Sequence, residues 1–116
     1  MDDTFAVTPG GARGKAVVVR VSGRVDAKTS SQLVERCLAP TSPGAHLVLN
    51  LAEVTFLSSS GVGALMVLSE RLAAQGGSLR LVALSSAASG PLRLLNLDRF
   101  LQIDESEDAA LGALGS

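Results

Sequence analysis

The chain has 116 residues, of which 47% are hydrophobic and 3% aromatic, and its 10 basic and 11 acidic side chains leave a net charge of −1. That length suits one compact domain with one core, and the near-neutral charge and scarcity of rings argue against a nucleic-acid surface, which needs a basic patch and usually stacking aromatics. The acidic opening "MDDTFAV" does not read as a secretory signal and no apolar run approaches the ~20 residues that span a bilayer, so a cytoplasmic protein with no membrane or nucleic-acid partner is expected.

In chain order, the Gly-rich "PGGARG" (9–14) reads as a loose segment, so residues 1–14 form a leading segment and the core of a single 1–116 domain spans about 15–114. "KAVVVRVSG" (15–23) has a β-branched centre and a terminal glycine, the signature of a strand. "DAKTSSQLVERCLAP" follows with Leu33, Val34, Cys37 and Leu38 at helical spacing, Thr29 and Ser30 as capping candidates and Pro40 as the stop. Cys37, the single cysteine, cannot form an internal disulfide and falls on the apolar face, which makes it a structural thiol. After the loop "TSPGA", the unbroken "LVLNL" within "HLVLNLAEVTF" suits a strand covered on both faces, with Asn50 satisfying backbone groups at its end.

"SGVGALMVLSERLAAQGG" predicts a helix from about 60 to 75, with Val62, Leu65, Met66, Leu72 and Ala73 on one stripe and Gly76–Gly77 as its stop. "SLRLVAL" (78–84) is the next strand. "SGPLRLLNL" reads as a short helix starting near 90 with Pro91 in its first turn, "FLQI" as a last strand, and "SEDAALGAL" as a closing helix capped by Ser106. This alternation predicts an α/β domain with a mixed, mostly parallel sheet of four or five strands. Right-handed crossovers then gather the strand-to-helix loops at the carboxyl end of the sheet, where ligands and partners usually meet such sheets.

One of those loops carries "FLSSSGVGAL" (56–65). A single serine suffices as an N-cap. Three exceed that need, the glycines at 61 and 63 allow close approach of another group, and a helix N-terminus favours an anion such as phosphate. Capping alone and a phosphate-bearing role both remain open on these grounds. Hydrolysis by Ser59 with His46 as base is rejected, because His46 starts the strand whose far end leads to the serines. "GGARGKAV" lacks the glycine and the Ser or Thr of a phosphate loop, since Pro9 and Ala16 stand there. One cysteine and one unclustered histidine make no metal site, and no cofactor is expected.

The stretch "LVLNLAEVTFLSSSGVGALMVLSERLAAQGGSLRLVAL" resembles the heart of STAS domains, specifically bacterial anti-sigma factor antagonists, in which an apolar strand leads through a "FxDSSG" or "FxDSTG" turn into a helix. "VVVRVSGRVDAKTSSQLVE" is similar to the family's upstream strand, "GxxD" turn and first helix, and "LNLDRFLQIDESEDAAL" to its C-terminal end. The resemblance implies a STAS-like fold with helices packed mainly on one face. It also implies a non-enzymatic regulator that docks onto an anti-sigma factor carrying a serine kinase fold, frees a sigma factor, and is switched off when the kinase phosphorylates the serine after the turn aspartate. A serine phosphatase is a further implied partner. Carried onto this chain the acceptor is Ser59, followed by Ser60 and Gly61, and the docking face comprises Ser58, Ser59, Ser60, Gly61, Val62 and Gly63 with the Asp26 loop of "GRVD" and part of the following helix. The chain departs from the family in one respect: the turn aspartate is Ser58, so slow transfer to Ser59 or a shift of the acceptor to Ser58 is expected. Asp26, just before a helix, is equally an ordinary cap or turn residue. The alternative function is a STAS scaffold domain that is never phosphorylated, with the serines only capping.

Overall fold

β-branched and aliphatic residues alternate along Ala16–Val25 (β2) and fill His46–Leu57 (β3), and these two segments form the centre of a five-stranded sheet. The structure, a computed structural model, describes residues 4–114. The remaining elements are β1 (Ala6–Arg13), α1 (Ser30–Leu38), α2 (Ser59–Ala74), β4 (Ser78–Val82), α3 (Ser86–Leu94), β5 (Gln102–Asp104) and α4 (Glu107–Ala113), with one 3-10 turn at Leu97–Arg99. Strand order is β1-β2-β3-β4-β5; β1 runs antiparallel to β2 and every other neighbour is parallel.

The period-2 alternation of strands decides which helix covers which face. Val19 and Val21 of β2, Leu47, Leu49 and Leu51 of β3, and Leu79 and Leu81 of β4 share a core with side chains of α1, α2 and α3. The intervening Val18, Val48 and Val82 point the other way, onto Ala110 of α4. Three helices therefore lie on one face and one short helix on the other, so β3 is buried on both sides, as its unbroken apolar run predicts. Arg20 fixes α4 there: its Nε and one terminal nitrogen each lie 2.9 Å from a Glu107 carboxylate oxygen. Asn50 donates to Glu107 at 2.7 Å while its own carbonyl accepts from the Ala52 amide at 2.9 Å, where the β2–β3 register slips. Cys37 is fully buried, and burial pushes its thiol up to about 12, as befits a structural residue.

Several boundaries differ from the sequence reading. Residues 9–13, expected to be loose, belong to β1, an edge strand. An edge tolerates the missing N–H of Pro9, and the register shifts between Pro9 and Gly11 as in a bulge. A Cβ on Gly10 would lie 2.7 Å from a Val18 methyl, so Gly10 answers to packing, while Gly11 answers to its positive φ (+105°) beside the register shift. β2 continues through Gly23 (φ +85°) to Val25. β4 stops at Val82, two residues early, because Ala83 turns into the left-handed region (φ +54°). α3 begins at Ser86, with the Ser85 hydroxyl accepting from the Ala88 amide at 3.2 Å, so Pro91 lies inside the helix and not in its first turn. β5 starts at Gln102, leaving Phe100 76% exposed.

Candidate functional site

The three serines occupy three different mechanical positions. β3 ends at Leu57, and the Ser58 amide donates to the Val25 carbonyl at 2.9 Å, tying the turn to the end of β2. Ser58 is the N-cap of α2: its backbone is extended (φ −83°, ψ 173°) and its Oγ accepts from the Gly61 amide at 3.1 Å. Ser59 and Ser60 then open the 16-residue helix with exposed side chains. Among the described residues neither of their hydroxyls has a hydrogen-bond partner. The reading of one cap and surplus hydroxyls is thus resolved residue by residue, with Ser58 as the cap.

Gly61 is required by space. A Cβ there would lie 2.9 Å from the Val25 carbonyl oxygen and 2.7 Å from Leu57 Cδ1, so any side chain would push α2 off the end of β2. Gly63, two residues on, has nothing within 4 Å of its Cβ position and faces outward. Val62 is 4% exposed and points into the core. Burial therefore takes Gly61 and Val62 off the surface at which they were expected to meet a partner, and leaves Ser59, Ser60 and Gly63 on it.

Asp26 lies in the adjacent loop, immediately after β2. It is half-buried, and its Oδ1 accepts from the Lys28 amide at 3.0 Å, the geometry of an Asx turn. Thr29 sits at the N-cap of α1 without capping it, because its hydroxyl is turned back: it accepts from the Asp26 amide at 2.9 Å and lies 3.1 Å from the Arg24 carbonyl oxygen. The Asp26 loop and the serine turn stand side by side at the carboxyl ends of two neighbouring parallel strands, joined by the Ser58–Val25 bond.

Two features of this surface were not read from sequence. A groove between α1 and α2 begins beside the serine turn, lined by Ser30, Ser31, Ser60, Gly63, Ala64 and Val67. Val34, also in its lining, is buried, and the groove becomes visible only when the two helices are known to pack together. Arg24 lies with its guanidinium carbon 4.3 Å from the centre of the Phe56 ring, 39% exposed, and its Nε is 3.9 Å from Asp26. Arg24 and Phe56 are register partners on β2 and β3, which no local pattern reveals.

His46 stands at the start of the 12-residue β3, with Nδ1 2.8 Å from the Ser78 hydroxyl. At ~3.3 Å per residue roughly 35 Å of strand separates it from Ser59, so the two are not brought together. Among the described residues no helix is long and apolar enough to cross a membrane.

The model of the STAS domain family matches residues 8–110. The fold is similar to that of an anti-sigma factor antagonist from Mycobacterium paratuberculosis, with a TM-score of 0.80 and 28% identity over 100% of this chain and 98% of that one. It is also similar to the anti-sigma factor antagonist SpoIIAA in its unphosphorylated form (TM-score 0.75, 20% identity, 96% of this chain and 98% of that one). The phosphorylated form of SpoIIAA, a Bacillus cell fate determinant, superposes with a TM-score of 0.67 at 19% identity, covering 94% and 99%.

Proposed function

From the premise that this chain belongs to the STAS domain family, we propose that it is a cytoplasmic anti-sigma factor antagonist, a binding module and not an enzyme, switched off by phosphorylation of Ser59. In the unmodified state it docks onto an anti-sigma factor with serine kinase activity and releases the sigma factor. A serine phosphatase resets it. One observation supports the choice of acceptor: the Ser59 hydroxyl is exposed and without a hydrogen bond at the first position of α2, whereas the Ser58 hydroxyl is engaged in capping; Ser60 shares that exposure, and the position within the turn motif selects Ser59 of the two.

The missing turn aspartate acquires a physical meaning from that geometry. Its position is the N-cap of α2, and serine caps a helix about as well as aspartate. The exchange therefore keeps the turn and removes only a negative charge beside the acceptor. Moving the phosphate to Ser58 would place it on the hydroxyl that already accepts from the Gly61 amide.

A phosphoserine carries about −1.5 to −2 charges at pH 7. At residue 59 the first amides of α2, which have no acceptor within the helix, and the positive end of the helix dipole can hold that charge with little cost to the fold. A docked partner would instead have to bury it, and an unpaired buried charge is expensive. A penalty of ~3 kcal/mol weakens affinity more than a hundredfold, which suffices for a switch. Asp26, Ser60 and Gly63 are the contact residues in this reading, with Gly61 and Val62 supporting the turn from below.

The test is to incubate the wild type, Ser58→Ala and Ser59→Ala with the partner kinase and ATP and to map phosphate by mass spectrometry. Loss of phosphate in Ser59→Ala alone is expected. Phosphate retained in Ser59→Ala but lost in Ser58→Ala would move the acceptor to Ser58. The Ser58 cap itself favours the second reading, a passive scaffold whose serines only hold the helix; no phosphate on any of the three serines would favour it.

A further inference from the structure

Among the described residues five large apolar side chains stay exposed, and the three most exposed fall within one short stretch: Leu94 at 84%, Leu95 at 52% and Phe100 at 76%. The segment that carries them is tightly wound. The Leu95 amide donates to the Pro91 carbonyl at 3.1 Å, Asn96 to Arg93 at 3.0 Å and Phe100 to Leu97 at 3.0 Å, so α3 passes through the left-handed Asn96 (φ +57°) directly into the 3-10 turn. At about 1.5–2 Å of rise per residue, Leu94 and Phe100 lie about 12 Å apart at most. Leu92 and Leu101 are buried and Leu97 packs on the core, so this segment gives one side to the fold and turns the other outward.

Three such side chains at those exposures present on the order of 400 Å² of apolar surface, the size of patch that marks an interaction site on a small protein. A specific interface takes about 800 Å² from each partner, about 65% of it apolar where two like chains meet. Leu94, Leu95 and Phe100 therefore supply most of the apolar part of one side, and the exposed Asn96, Asp98 and Arg99 supply a rim. That rim carries both signs within a few residues, so it is complementary to a copy of itself: across a two-fold axis Asp98 of each copy can meet an arginine of the other.

The topology places this patch away from the serine turn. α3 starts at the carboxyl end of the sheet, where the Ser85 hydroxyl lies 2.7 Å from the Val54 carbonyl oxygen, and leads back to the amino end, where β5 begins at Gln102 beside Arg80 of β4. Residues 94–100 thus stand at the pole of the sheet opposite Ser58–Ser60. We propose that this patch is an isologous interface through which two copies of the chain pair, burying Leu94, Leu95 and Phe100 and leaving both serine turns uncovered.

The experiment is sedimentation equilibrium of the full chain from about 10 μM to about 1 mM, the range in which an interface of this modest size associates. The weight-average mass is expected to rise from 11.8 kDa towards twice that value as concentration increases. Leu94→Glu and Phe100→Glu, both at exposed positions, are each expected to weaken pairing at least tenfold while the far-UV circular dichroism stays that of the wild type. Asp98→Lys, which leaves only cations in the rim, is expected to weaken it at least threefold, most at low salt. A wild type that stays at 11.8 kDa at 1 mM would overturn the proposal, as would pairing indifferent to both glutamate substitutions. Pairing unchanged in Asp98→Lys would overturn the charge match. A monomeric wild type that pellets with vesicles of equal phosphatidylcholine and phosphatidylglycerol, and loses this in Leu94→Glu, would assign the patch to a lipid surface instead and overturn the pairing of copies.

Discussion

Two glycines in the first turns of α2 should respond to the same substitution with opposite signs. In Gly61→Ala the new Cβ meets the Val25 carbonyl oxygen at 2.9 Å, a Val25 methyl at 2.9 Å and Leu57 Cδ1 at 2.7 Å. The Leu57 methyl can rotate away, but the Val25 oxygen cannot, because it is backbone and accepts the Ser58 amide. Overpacking of this kind costs about 1–3 kcal/mol, and relieving it by shifting α2 outward gives up a hydrogen bond of about 1 kcal/mol. Alanine's better helix propensity returns about 1 kcal/mol, so the net loss is about 1–3 kcal/mol, or roughly 4–12 °C in Tm for a domain of this size. In Gly63→Ala nothing lies within 4 Å, only the propensity gain remains, and stability should rise by about 0.5–1 kcal/mol. Urea unfolding followed by far-UV circular dichroism measures both. A Gly61→Ala variant as stable as the wild type, with Gly63→Ala raised as expected, would refute the claim that α2 is seated directly on the end of β2.

Ser58→Ala should cost about 1 kcal/mol by loss of the cap, whereas Ser58→Asp should match or slightly exceed the wild type, since aspartate caps equally well and complements the helix dipole; equal stability of Ser58→Ala in denaturant unfolding would remove the cap. Ser59→Asp should melt near the wild-type temperature and bind the kinase partner more than a hundredfold more weakly by calorimetric titration, and unchanged affinity would refute the switch. The hydrogen bond from Arg20 holds the Glu107 carboxyl below its ordinary value. Its stabilisation is therefore present above the unfolded carboxylate pKa of about 4.3 and fades as pH falls through the lower folded value. Glu107→Gln should accordingly be less stable than the wild type at pH 7 and approach it in acid, and a gap that does not narrow would show that α4 is docked by packing alone. The Cys37 thiol, pushed up to about 12 by burial, should resist thiol reagents at pH 8 until the chain unfolds.

The elements whose residues have one job were legible in the sequence. β3 and α2 are long and most of their apolar residues serve the core, Phe56 and Val67 being exposed exceptions, so the apolar pattern identifies them. Legibility failed where a residue serves a partner distant in the chain. Pro9, Gly10 and Gly11 carry the local signature of a loop, and only pairing with Val18 and Val19 makes them an edge strand with a bulge. Pro91 looks like a helix start because local rules place proline in the first turn, but Ser85 caps α3 earlier, and its hydroxyl also lies 2.7 Å from the Val54 carbonyl oxygen on β3. Ala83 gives no sign in sequence of its left-handed turn, which ends β4 two residues early.

The same distinction runs through the serine turn. "SSSG" shows that hydroxyls are in excess, because capping needs one, yet it cannot say which one caps; that depends on where the chain leaves β3, and the Ser58–Val25 bond decides it. Once Ser58 is committed, Gly61 follows, since the amide it offers to the cap comes with a Cα pressed against the end of β2. Those two residues explain each other through stability alone. Ser59 and Ser60 do not enter that account, being exposed and without hydrogen bonds among the described residues. A polar side chain that the fold neither buries nor bonds is free to be kept for what happens at the surface. The fold thus accounts for Ser58 and leaves Ser59 and Ser60 unaccounted for, and the proposed acceptor, Ser59, is one of the two.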